Sequence, residues 1–174
     1  MDQLLHLTSY EADSTAKDNS SSSSSNLKIG VARDEAFNFM YRENIAALKN
    51  LGELVCFSPI HDKAIPEVDF IYSPGGYPEF YAEALSRNTS MRESIKDYIY
   101  KGGKLWAECG GMMYLMDDLT DSDNQSWPMV GVFKGKSSMI PMKLSLGYRY
   151  FDYKGVRFKG HEFHYSHTDM EDDS

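Results

Sequence analysis

The chain has no apolar run approaching the roughly 20 residues that a helix needs to cross a bilayer, so no membrane partner is expected. It has no cluster of basic residues either. With 18 Lys and Arg against 26 Asp and Glu, its formal net charge is −8, which leaves no footprint for a phosphate backbone and argues against nucleic acid. Cysteine is scarce, at two residues. Two cysteines in separate segments do not make a disulfide framework, and a reducing, cytoplasmic setting is expected. No pair of Cys and His has zinc-site spacing, so no metal site is expected. The Gly-x-x-x-x-Gly-Lys-Ser/Thr loop of ATP-binding domains is also missing, so no cofactor is assigned to these residues. The first residues, Met1 to His6, lack the basic flank and apolar core of a signal peptide. There is no internal repeat.

What is present is one globular domain with a polar tail. Of the 174 residues, 41% are hydrophobic and 13% aromatic, as in ordinary folded domains. Residues 1–26 are set apart by six consecutive serines, Ser20 to Ser25, a flexible-linker composition. The folded domain is expected over 27–174. Leu27 to Ala32 reads as a first strand. Ile45, Leu48 and Leu51 recur at helical spacing, and Gly52 is placed as the helix-ending C′ residue. Strands follow at Glu53 to Phe57, carrying Cys56 as an inert buried thiol, and at Asp69 to Ser73. Tyr81 to Leu85 and Met91 to Tyr100 read as helices, the second with Met91, Ile95, Tyr98 and Ile99 on one face. Leu105 to Glu108 is a fourth strand.

This alternation predicts an α/β fold, a mostly parallel central sheet with helices on both faces. Ligands then bind beyond the C-terminal strand ends, where Gly75-Gly76 and Cys109 both fall. After Asp117 the pattern changes. Asp117 to Gln125 reads as an acidic loop and Met129 to Phe133 as a strand. Leu146 to Phe151 and Val156 to Phe158 read as a hairpin, and Gly160 to Tyr165 as a strand or its exit. The second half is therefore β-rich, with an antiparallel arrangement the simplest. Thr168 to Ser174 reads as an unstructured acidic end.

Cys109 is the residue that points to chemistry. It ends an apolar strand and is followed by Gly110-Gly111 and a helix-forming stretch. A strand, sharp turn and helix would expose a nucleophile at the apex and aim the following N–H groups at a reacting carbonyl. The adjoining helix N-terminus would favour thiolate over thiol. The plain alternative is a buried structural cysteine beside a glycine pair.

Four segments taken in order resemble one family. They are Ala32 to Asn44, Pro74-Gly75-Gly76-Tyr77-Pro78-Glu79, Ala107-Glu108-Cys109-Gly110-Gly111-Met112-Met113-Tyr114-Leu115, and Gly160-His161-Glu162-Phe163-His164-Tyr165-Ser166. Together they resemble the class I glutamine amidotransferase domain of the cobyrinic acid a,c-diamide synthase type, in the cobalamin-pathway group of cobyrinate and cobyric acid synthases. The resemblance implies a flavodoxin-like amidotransferase fold and a cysteine that attacks glutamine's side-chain amide. It makes Cys109 the nucleophile and glutamine the substrate. Gly110, with Gly75 or Gly76, would supply the oxyanion donors. It also implies a separate synthetase domain that binds ATP and Mg2+ and a tetrapyrrole, either a corrinoid or a sirohydrochlorin-type ring.

The family's catalytic histidine follows the Gly-His-Glu-Phe-His motif, and no such segment lies between that motif and Ser174. The domain is therefore expected to be incomplete at its C-terminus. His164, Tyr165 and Ser166 are expected to line the glutamine pocket, largely through backbone groups. His164 as a substitute base and His164 as a structural strand residue stay open beside that reading, and Glu162 shares its strand face. Arg33, Asp34 and Asn44 either shape the rim facing the synthetase domain or are a solvated loop and helix cap. Phe37, Phe39 and Tyr41 are expected to pack. A catalytically silent binding or regulatory module of the same fold is the alternative function.

Overall fold

The computed structural model describes residues 27–170. The serine-rich segment, His6 and the last four residues lie outside them. Four parallel strands form the central sheet: β1 (Leu27–Ala32), β2 (Gly52–Phe57), β3 (Phe70–Ser73) and β4 (Lys104–Ala107), in the order β2-β1-β3-β4. Period-two alternation divides their side chains between two faces. Ile29, Val31 and Tyr72 pack with Ile45 and Leu48 of helix α1 (Arg42–Leu51). Ala32, Phe57 and Ile71 face the other way, toward Leu85 of α2 (Ala82–Arg87) and Met91 and Ile95 of α3 (Thr89–Tyr100). Leu85 and Met91 are fully buried, each stabilising the fold by about 1.5–3 kcal/mol. Asn88 caps α3, its side chain accepting from the Met91 N–H at 3.4 Å.

This strand order reverses direction between β1 and β3, the place where doubly wound sheets open a crevice at their C-terminal edge. Three connections meet there: the loop after β1, the Pro74-Gly75-Gly76 turn after β3, and the turn from β4 into the short helix α4 (Gly110–Leu115). Asp34 organises the first. Its carboxylate accepts from the Ala36 and Phe37 N–H groups at 2.9 and 3.2 Å, and from the Ser58 hydroxyl and Ile60 N–H at 2.8 and 2.9 Å. The Ala36 carbonyl thus held accepts the Tyr77 N–H at 2.9 Å. Asp34 is a loop organiser whose bonds reach, through Ala36, the turn beside Cys109.

Beyond α4 lies a second sheet of β5 (Met116–Thr120), β6 (Ser126–Pro128), β7 (Phe133–Ser138) and β10 (His167–Met170), in the order β10-β7-β5-β6. A separate hairpin pairs β8 (Ser145–Tyr153) with β9 (Val156–His164). The hairpin turns at Lys154 and Gly155, with φ of 50° and 78°. It is held by the Arg149–Glu162 ion pair and by stacked Phe151 and Phe158, 5.2 Å between centroids. Among the described residues no helix is long and apolar enough to cross a membrane.

Several sequence expectations are corrected. Gly52 ends α1 as expected, its N–H bonding to the Leu48 carbonyl, but it is extended, at φ 175°, and opens β2 directly. Glycine is required there because a Cβ would lie 2.1 Å from the Leu27 carbonyl oxygen across the parallel ladder. Cys56 is exposed, because β2 is an edge strand and the α1 cluster reaches Leu54 but not Cys56. The acidic stretch after Asp117 opens inside a strand, since Leu119 is fully buried and carries β5 into the sheet. Met129 to Val132 is irregular, with strands on either side of it. Its N–H groups still bond to Asp117, Tyr114, Met116 and Leu115. The second sheet is mixed, because β5 and β7 run parallel. Thr168 to Met170 lies in β10, paired with β7, so the acidic tail is ordered at least that far. Of Phe37, Phe39 and Tyr41, only Phe37 is buried.

Candidate active site

Cys109 sits between β4 and α4 with φ 51° and ψ −119°. A non-glycine residue with positive φ is strained by roughly 1–3 kcal/mol. The turn is held by its neighbours: the Glu108 N–H bonds to the Ser73 carbonyl at 3.1 Å and the Gly111 N–H to the Pro74 carbonyl at 3.0 Å. A Cβ on Gly111 would stand 2.3 Å from the Ser73 carbonyl oxygen, so the second glycine lets α4 press against the end of β3. Replacing Cys109 with glycine is therefore expected to stabilise the domain by about 1 kcal/mol, the released strain exceeding the added entropy of the unfolded chain. A fall in midpoint for Cys109→Gly in denaturant titration would contradict this.

The backbone N–H groups of Gly110 and Gly76 lie on the Cys109 thiol and favour its ionised form. Gly75 has a different task. Its carbonyl accepts the Phe39 N–H at 3.1 Å, tying the first loop to the turn.

Cys109 is exposed as a residue, yet the protein packed around its sulfur dominates its ionisation. That burial pushes the thiol above its ordinary range. The Gly110 and Gly76 N–H groups pull it down, and the carboxylates of Glu79 and Glu108 push it up. The N–H at the first residue of α4, Gly110, does lower the thiol as expected, but burial outweighs it. Helix α4 has only six residues, and its N–H groups do not offset desolvation and two nearby negative charges.

A cavity of about 250 Å³ opens over the thiol. It is lined by Phe39, Tyr41, Gly75, Gly76, Tyr77, Glu79, Glu108, Met113 and Met139, together with His161, Phe163 and His164 from the end of β9 and Tyr165 and Ser166 just after it. All seven residues singled out from sequence are thus near one another: Cys109, Gly75, Gly76, His164, Tyr165 and Ser166 line the cavity, and Gly110 lies directly behind the thiol.

His164 Nδ1 lies 2.8 Å from the Ser166 carbonyl, which only an Nδ1–H can satisfy, and its Nε2 lies 3.9 Å from Glu162. The Ser166 hydroxyl donates to Met113 sulfur at 3.6 Å. Among the described residues, the groups that act on the Cys109 thiol include no histidine.

Glu79 and Glu108 were missed as wall residues, although both lie inside the segments that carry the resemblance. The Tyr72 hydroxyl donates to Glu108. Burial, then that bond, holds the Tyr72 phenol above its usual range, against a lowering hydrogen bond from the Asn44 side chain. Asn44 thus reaches the polar network beside Cys109. Arg33 is bonded through its backbone, to the Phe57 carbonyl. Phe39 and Tyr41, expected only to pack, lie in the first of the segments that carry the resemblance, whereas no sequence signal marks Met139.

Comparison with known proteins fits this geometry. The family of CobB/CobQ-like glutamine amidotransferase domains matches residues 28–174. The chain belongs to this family. The amidotransferase domain is 43% identical over 166 residues to a cobyrinate a,c-diamide synthase of Clostridium tetani, covering 90% of this chain and 38% of that protein. It is 45% identical over 149 residues to one of Methanothermobacter thermautotrophicus, covering 80% and 32%. It is 41% identical over 144 residues to a hydrogenobyrinate a,c-diamide synthase of Pseudomonas aeruginosa, covering 82% and 33%. The chain thus spans about a third to two fifths of the length of these relatives. A crystal structure of a glutamine amidotransferase shares the fold, with a TM-score of 0.51 at 17% identity, over 79% of this chain and 70% of that one.

Proposed function

We propose that this amidotransferase domain hydrolyses glutamine at Cys109 and feeds ammonia to a tetrapyrrole-amidating synthetase. One observation carries the reading: Cys109 sits at a strained strand-to-helix turn where the N–H groups of Gly110 and Gly76 converge on its sulfur. The thiolate adds to the glutamine side-chain amide carbon. The carbonyl oxygen becomes an oxyanion where the same two N–H groups can receive it. Collapse expels ammonia, leaving a thioester, and water releases glutamate. Gly75 supports the turn through its bond to Phe39, and Gly76 is the second donor. His164, Tyr165 and Ser166 form the far wall around the amino-acid part of glutamine. Among the described residues no histidine acts on the Cys109 thiol, which supports a wall role for His164 over a base role. By analogy with the relatives, the ammonia goes to a cobyrinate or hydrogenobyrinate carboxylate, activated with ATP and Mg2+ on a synthetase domain.

The test exploits the second exposed thiol. Iodoacetamide is expected to alkylate both Cys56 and Cys109. A chloroketone analogue of glutamine is expected to label Cys109 alone, read by peptide mass spectrometry. Equal labelling of Cys56, or none at Cys109, removes the proposal. A second reading, a domain that binds glutamine without turning it over, is favoured by the raised thiol and by the lack of a histidine acting on it among the described residues. Selective labelling without any glutamate release would select it.

A further inference from the structure

We propose that Glu79 is the specificity-determining residue that reads the α-ammonium group of the substrate, restricting the cavity to free amino-acid amides. This rests on the glutaminase reading and names what that site selects.

The cavity wall is unbalanced in charge. It contains two carboxylates, Glu79 and Glu108, and no lysine or arginine; its other titratable side chains are His161, His164, Tyr41, Tyr77, Tyr165 and Cys109 itself. Glu108 is engaged on the sheet side by the Tyr72 hydroxyl. Glu79 is held by the short 3-10 turn Pro78–Tyr81 that leaves the Gly75-Gly76 turn. It is half-buried, and burial pushes its carboxyl above the usual range, opposed by its own backbone N–H. Among the described residues no cationic side chain acts on it. A partly desolvated carboxylate without a cation is costly, and a ligand ammonium offsets that cost.

The placement is also right. Glu79 is near enough to Cys109 for its charge to disfavour the thiolate. Both residues line the same cavity, so the two ends of a five-carbon amino acid could meet the thiol and the carboxylate together. Docking an ammonium on Glu79 cancels part of that repulsion, so the correct substrate eases ionisation of the thiol that attacks it. An amide lacking the ammonium gains neither effect. Free glutamine is thereby separated from glutaramate and from amide side chains within proteins.

The experiment measures second-order labelling of Cys109 in the full chain with two chloroketones. One is the glutamine analogue bearing its α-ammonium, and the other is 5-chlorolevulinate, which lacks it. Wild type is expected to prefer the ammonium-bearing reagent by about 10- to 100-fold, the scale of one charge-assisted contact. Glu79→Gln is expected to reduce that preference to about twofold, while its iodoacetamide rate stays equal or rises. Glu79→Asp, which keeps the charge at shorter reach, is expected to retain part of it. Equal rates for both chloroketones on wild type overturn the proposal without any variant. A preference that survives in Glu79→Gln overturns the role of Glu79 and leaves the glutaminase reading intact. If the glutamine chloroketone labels Cys56 as fast as Cys109, the glutaminase reading itself falls.

Discussion

Cys109→Ser is expected to lower glutamine hydrolysis by at least about a thousandfold while leaving the fold intact. Serine fills nearly the same volume, and the positive φ is a backbone demand that serine meets at the same cost as cysteine. What changes is the nucleophile. Even with burial and two carboxylates raising it, the Cys109 thiol ionises far more readily than an alkanol, and among the described residues no histidine acts on this position. Glutamine binding should survive, because the Gly76 and Gly110 N–H groups and the wall from Phe163 to Ser166 are untouched. The measurement is glutamate release beside thermal denaturation. Retention of more than about a tenth of wild-type turnover would mean that another group carries the reaction. The pH dependence has a defined sign: with the thiol raised, alkylation of Cys109 should keep rising with pH past the ordinary thiol range.

Gly76→Ala is expected to damage both stability and chemistry. An added Cβ would lie 1.9 Å from the Ala36 carbonyl oxygen, 2.9 Å from its carbon and 3.0 Å from Phe37 Cα. These are backbone atoms of two fully buried residues, held by the Asp34 carboxylate. Nothing at the contact is the free end of a flexible side chain, so either the loop after β1 or the turn itself must move. The cost is about 2–4 kcal/mol of stability. Any movement also shifts the N–H that points at Cys109, and loss of one such donor costs about 10²–10³ in turnover. Gly75→Ala is the control. Its Cβ would meet Cys109 Cβ and Phe39 Cδ1 at 3.4 Å, ordinary contact, so less than about 1 kcal/mol is expected. If urea midpoints and glutamate release for the two variants are alike, the asymmetry between these adjacent glycines is wrong.

The elements that sequence anticipated are those whose signals are local. Leu27 to Ala32 and Phe70 to Ser73 are short apolar runs that can only be buried strands. Met91, Ile95, Tyr98 and Ile99 mark one helix face by spacing alone. The failures have a common cause. Gly52, Cys56 and the Met129 to Val132 stretch were assigned from local pattern, but an edge position or a cross-strand approach decided each. Gly52 does end the helix, but the reason it must be glycine shows only once Leu27 is placed beside it. Cys56 looks buried until β2 proves to be the outermost strand.

Cys109 shows the same division. The sequence alone placed it at a strand–turn–helix apex, identified the glycines beside it, and supported the family, because those are properties of short contiguous segments. The ionisation of its thiol was decided by tertiary structure. Burial around the sulfur outweighs the N–H of the short helix α4, and Glu79 comes from a different turn. Likewise the residues from His161 to Ser166 share the thiol's cavity through tertiary contacts such as that of the Ser166 hydroxyl with Met113. A charge acts through distance in space, and distance in space is what the linear order of residues does not carry.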